Sequence, residues 1–224
     1  MVIPDVTYPS LPTQAAGADG FVPPGWKLEA QAKGDLNGDG VPDLAFVLHD
    51  ADPKNVVANA GGLGADPLDT NPRILAVAFG LKGGGVYHLA LENHALIPRW
   101  TEPTVEDPFD ADSGIGIARG ALHVTLNFFA NAGSWTTSNT TETFRWQKDR
   151  FALIGYDRTE TDRSSGEMQG VSINYPAGRA KRTQGAIDND TVKTSWETLP
   201  ARPLLGLDQI GDGMAFDPDQ PPKR

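Results

Sequence analysis

Nine residues constrain this chain more than any others. In Asp35-Leu36-Asn37-Gly38-Asp39-Gly40-Val41-Pro42-Asp43, oxygen-bearing side chains fall at relative positions 1, 3, 5 and 9, and glycine falls at position 6. Before this stretch, Trp26-Lys27-Leu28-Glu29-Ala30-Gln31-Ala32 alternates apolar and polar residues, as a half-buried strand does. After it, Leu44-Ala45-Phe46-Val47-Leu48 is continuous and apolar, the pattern of a strand buried on both faces. The spacing therefore places a tightly turning polar loop between two strands.

The rest of the chain continues in the same manner. Residues 73–79 and 86–91 flank Gly80-Leu81-Lys82-Gly83-Gly84-Gly85, which predicts a hairpin. Residues 114–118 and 122–128 bracket the turn Arg119-Gly120, and 136–147 and 151–161 are rich in Thr and aromatics, which suit a pleated surface. Residues 171–175, 180–184 and 192–199 supply the last candidate strands. Twenty-five glycines and eighteen prolines favour short elements joined by turns over long helices. The fold expected is mainly β, a single domain of about ten short antiparallel strands. They would form a meander closing into a sandwich, an open barrel or propeller-like blades, with the loop between two strands. Residues 1–24 read as an N-terminal arm, 25–210 as the β domain and 211–224 as a flexible tail, mobile unless something pins it. Two long loops, 50–72 and 98–113, interrupt the strands, and long ordered loops in compact domains are more often functional than idle.

Calcium takes six to eight oxygen ligands at about 2.3–2.6 Å, and a short loop wraps around it where a glycine lets the backbone turn sharply. The pattern assigns the side chains of Asp35, Asn37, Asp39 and Asp43 and the carbonyl of Val41 as ligands of one Ca2+. The EF-hand is a poor match, because Phe46 stands at position 12 in place of its bidentate Glu and the flanks are strands. The segment instead resembles the D-x-N-x-D-G-x-x-D calcium loop of FG-GAP and VCBS-type repeats. The wider run from Phe21-Val22-Pro23-Pro24-Gly25-Trp26 to Leu44 is similar to a group of uncharacterised exported bacterial envelope proteins with one such loop. So are Gly133-Ser134-Trp135 and Phe151-Ala152-Leu153-Ile154-Gly155-Tyr156. That resemblance implies export and no particular activity.

Composition excludes more than it assigns. With 19 basic and 29 acidic residues the formal charge is −10, which repels phosphate backbones and argues against nucleic acid as a partner. Without cysteine there is no disulfide, thiolate metal site or thiol nucleophile. No apolar run reaches the roughly 20 residues of a membrane span. The start, Met1-Val2-Ile3-Pro4-Asp5, lacks the basic and apolar regions of a signal peptide and reads as a mature segment. Weak extracellular-type calcium loops fill where calcium is plentiful, so the expected location is periplasmic or secreted.

No catalytic constellation emerges. His49, His88, His94 and His123 lack zinc-ligand spacing, although His88 and His94 could approach each other. Glu102, Glu106, Asp107, Asp110 and Asp112 could supply an acid/base pair for glycoside hydrolysis. Trp100, Trp135 and Trp146 could stack on sugars. The leading expectation is a non-enzymatic binding module for a basic protein partner or a cell-envelope glycan, in one version an inhibitor or immunity protein. A cell-wall or glycan hydrolase using the acidic loop and a structural component of an envelope assembly are the alternatives. The oligomeric state is left open.

Overall fold

The computed structural model describes residues 1–110 and 112–220, and these contain fourteen strands, three short 3-10 turns and no α-helix. In chain order the strands are β1 (Gln14–Ala15), β2 (Trp26–Gly34), β3 (Asp43–Asp50), β4 (Val56–Val57), β5 (Leu68–Asp69), β6 (Arg73–Gly80) and β7 (Tyr87–Asn93). The second half holds β8 (Gly114–Ala118), β9 (Ala121–Phe129), β10 (Thr136–Gln147), β11 (Arg150–Asp162), β12 (Glu167–Asn174), β13 (Arg179–Ala186) and β14 (Asn189–Thr198). The chain is thus all-β and antiparallel. One sheet has five strands in the order β1-β7-β6-β3-β2, and the other is a seven-stranded meander running β14 to β8. Strands β4 and β5 pair separately. Of the three closures open to the sequence, the arrangement lies between a sandwich and an open barrel: the sheets share a core, and β2 of one approaches β8 of the other.

Strands β3 and β6 lie side by side in the middle of the five-stranded sheet and are buried on both faces, as the unbroken apolar run of β3 requires. Ala45, Val47, Leu75 and Val77 face Leu122, Val124, Leu126, Phe144 and Leu153 of the meander. Leu44, Phe46, Leu48, Ile74, Ala76 and Ala78 point the other way, and the N-terminal stretch covers them with Leu11, Ala18 and Phe21. Phe21 is fully buried and stacks on Phe46 at 5.1 Å between ring centroids. Burying such a ring contributes about 1.5–3 kcal/mol, and pairing of β1 with β7 ties the stretch down.

Residues 211–220 are pinned as well. The Gly213 amide donates to the Leu96 carbonyl at 3.0 Å, Phe216 sits edge-on to Tyr156, and Arg182 pairs with Asp219. Beneath this strap, β10 turns Ser138, Thr140, Glu142 and Phe144 inward. Glu142 is fully buried, and neither of its oxygens has a hydrogen-bond partner among the described residues. Burial, with the nearby Asp212 charge second, pushes its carboxyl up to about 8. The folded state therefore keeps a proton that the unfolded chain releases above its ordinary value of 4.5, and stability falls as pH rises from 4.5 to about 8. Urea midpoints should decline over that window in the native chain and be nearly flat in Glu142→Gln. Parallel declines in the two proteins would assign the effect to other groups.

Candidate metal centre

The loop 35–43 leaves β2 at Gly34 and enters β3 at Asp43, and these two residues pair directly. Its shape comes from side chains bonding the backbone just ahead of them, helped by Gly38 and Gly40, whose φ values of 80° and 82° suit glycine. Asp35 accepts from the Gly38 amide through Oδ1 at 2.7 Å and from Gly40 through Oδ2 at 3.0 Å. Asn37 Oδ1 accepts from Asp39 at 2.9 Å, and Asp39 Oδ1 accepts from Val41 at 2.8 Å. Each of these oxygens keeps a second lone pair, and Asp39 Oδ2 has no partner among the described residues.

Asp43 has a different setting. It is fully buried, and both oxygens are engaged: Oδ2 accepts from Leu36 at 2.7 Å and Asn37 at 3.2 Å, and Oδ1 accepts from Gly80 at 2.9 Å. Asp43 therefore fastens the loop to the far end of β6. The fit is close, because a Cβ at position 80 would collide with the Pro42 carbonyl. Burial raises the Asp43 carboxyl's pKa, the three amides pull it down, and the Asp39 charge adds to the rise.

Among the described residues no Lys, Arg or His forms an ion pair with Asp35, Asp39 or Asp43. Nor do three His, Asp or Glu side chains converge there closely enough to hold a metal by themselves. An ion in this loop would thus need the Asn37 amide oxygen and the Val41 carbonyl beside the carboxylates, which is the mixed oxygen set calcium accepts.

The other candidate residues are dispersed. His49 is buried beside Glu29, His94 stacks on Tyr8, His123 meets the Thr143 hydroxyl, and His88 lies on β7 opposite Gln14. Trp146 packs against Phe79 and Phe151, and the Trp100 indole donates to the Val105 carbonyl, while Trp135 is 64% exposed. In the acidic loop, Asp107 is fully occupied: both of its oxygens bond Arg73, which also forks onto Glu29. Glu106, Asp110 and Asp112 line a depression of about 270 Å³ together with Asn127, Asn139 and Thr159.

The loops 50–72 and 98–110 touch one another. The Ala65 amide donates to the Pro103 carbonyl at 2.8 Å, and Arg99 Nε donates to the Thr70 carbonyl at 2.8 Å. Sequence reasoning missed Arg73, Glu29 and Gly80 as parts of this region. Only Arg73 carried a signal, as a charged residue at the head of an apolar strand. Comparison with protein-family models, with curated proteins and with solved structures finds no match to this chain.

Proposed function

We propose that this chain is a calcium-stabilised, non-enzymatic binding module of the bacterial cell envelope. The observation that carries the reading is the loop 35–43. There Asp35, Asn37 and Asp39 are pre-set by their own backbone bonds, keep free lone pairs, and bring negative charge that no basic side chain balances among the described residues. The likeness to FG-GAP and VCBS-type loops rests on the same residues. Calcium would be held by Asp35, Asn37, Asp39, the Val41 carbonyl and the remaining lone pair of Asp43 Oδ1. Export follows from where calcium is abundant.

The joined loops 50–72 and 98–110 are the proposed contact surface. Their acidity suits a basic protein, as an inhibitor or immunity protein would meet, and steers it electrostatically. The depression lined by Asn127, Asn139 and Thr159 favours a glycan as the second candidate, because amide and hydroxyl groups match sugar hydroxyls.

Melting curves test the calcium part. At calcium a hundredfold above its dissociation constant the gain is about 2.7 kcal/mol. For a chain of this size that is roughly 5–10 °C. Chelator should remove the gain, and Asp39→Ala should melt like the chelated protein at any calcium level. A calcium response retained by Asp39→Ala would reject the ligand set.

A further inference from the structure

We propose that a second site, a pocket roofed by residues 200–204, binds the carboxylate end of an apolar chain. The proposal stands independently of the calcium loop. The Leu199 amide makes a last bond to the Gly178 carbonyl at 2.8 Å, and the backbone returns to the sheet where Leu153 donates to the Leu205 carbonyl at 2.8 Å. Between those two bonds Pro200 and Pro203 lack amide donors and cannot continue the ladder, and the chain arches off the sheet. Arg150 fastens the arch by donating to the Leu204 carbonyl at 2.9 Å.

The space beneath the arch is about 450 Å³, within the range of ligand sites, and Leu153, Leu199, Leu204, Leu205 and Tyr175 give it mostly apolar walls. Arg202 is its one ionisable lining group besides Tyr175. Its guanidinium lies 5.7 Å from the Tyr175 ring centroid, and one of its amino groups donates to the Pro218 carbonyl at 3.0 Å. Among the described residues it pairs with no carboxylate, a condition it shares with Arg99, Arg150 and Arg163; what sets it apart is its place on the wall of this pocket. In a chain of charge −10, an exposed guanidinium beside an apolar pocket is complementary to an anion carrying an apolar tail. The planar fork favours a carboxylate. A free fatty acid and the C-terminus of a peptide ending in an apolar residue share that chemistry.

The test titrates decanoate, decanol, and a short peptide ending in Leu-Leu as free acid and as amide into calcium-free protein, followed by amide NMR and calorimetry. Decanoate or the free-acid peptide should shift the amides of the non-proline residues within 175–178 and 201–205. Binding should weaken about tenfold in Arg202→Gln, the loss of one charge-assisted contact at an exposed position. Decanol and the peptide amide should bind weakly and equally to both proteins. Response to decanoate alone assigns a fatty acid, and response to the acid peptide assigns a chain terminus. Leu204→Trp, which fills the pocket, should abolish either response. Equal binding of decanoate and decanol, indifference to Arg202→Gln, or shifts confined to other residues would overturn the proposal.

Discussion

Asp43→Ala should destabilise the protein by about 3–6 kcal/mol in denaturant titration. The substitution strips an acceptor from three backbone amides, those of Leu36, Asn37 and Gly80, of which the first and last are buried. A buried donor left without a partner costs about 1–3 kcal/mol. The loss comes from two places at once, the entrance of the loop and the end of β6, because one side chain bonds both. Asp43→Asn keeps the shape but turns a donor toward amides that are themselves donors, so it should fall between the native chain and the alanine variant. A loss under about 1 kcal/mol for Asp43→Ala would mean that the loop and β6 are not joined through this residue. Asp39→Ala is the cleaner probe of calcium for the same reason: Asp39 is exposed, and only the neighbouring Val41 amide depends on it.

Arg73→Ala should cost about 3–5 kcal/mol, the range for breaking a buried ion pair by removing one partner. The guanidinium is buried at the start of β6 and bonds four carboxylate oxygens, two of Glu29 on β2 and two of Asp107 in the 98–113 loop, at 2.7–3.0 Å. It also lies over the Phe109 ring at 5.4 Å. Alanine would leave two half-buried carboxylates facing each other without a cation. The variant carrying Arg73→Met, Glu29→Gln and Asp107→Asn together should recover most of the loss, because no unpaired charge remains. A triple variant as unstable as Arg73→Ala would point to lost packing instead. The same cluster gives an acid limb to the stability profile. Burial alone would raise the Glu29 carboxyl, but the His49 and Arg73 hydrogen bonds and charges overcome it and hold the group at about 2. Its contribution is complete above the ordinary value of 4.5 and is lost as pH falls from there toward 2. With Glu142 acting in the opposite sense above 4.5, stability should peak in the mildly acidic range.

Local pattern made the strands legible. The alternation at 26–32, the apolar run at 44–48 and the Thr-rich and aromatic stretches at 136–161 each became a strand near those bounds. The apolar run even implied two covered faces, and the proline- and glycine-rich start of the chain meets the second requirement with Leu11 and Phe21. What could not be read is what depends on distant pairing. Arg73 meets partners 44 and 34 residues away, and Asp43 meets an amide 37 residues on, because β6 inserts beside β3. In the loop itself, spacing identified Asp35, Asn37, Asp39 and Asp43 as a group. It could not separate Asp43, which is buried, from the exposed Asp39, since burial is set by β6 and by the neighbouring sheet. Glu142 left one trace in the sequence: it sits in phase with Ser138, Thr140 and Phe144, on the face that the alternation of β10 turns inward.

Diffraction from crystals grown with calcium and with chelator tests the metal loop most directly. The account predicts a strong peak, present only with calcium, within about 2.3–2.6 Å of the Asp35, Asn37, Asp39 and Asp43 side-chain oxygens and the Val41 carbonyl. A water at that point in both crystals, with the loop unchanged, would contradict it and leave Asp35–Asp43 as a turn held by its own hydrogen bonds.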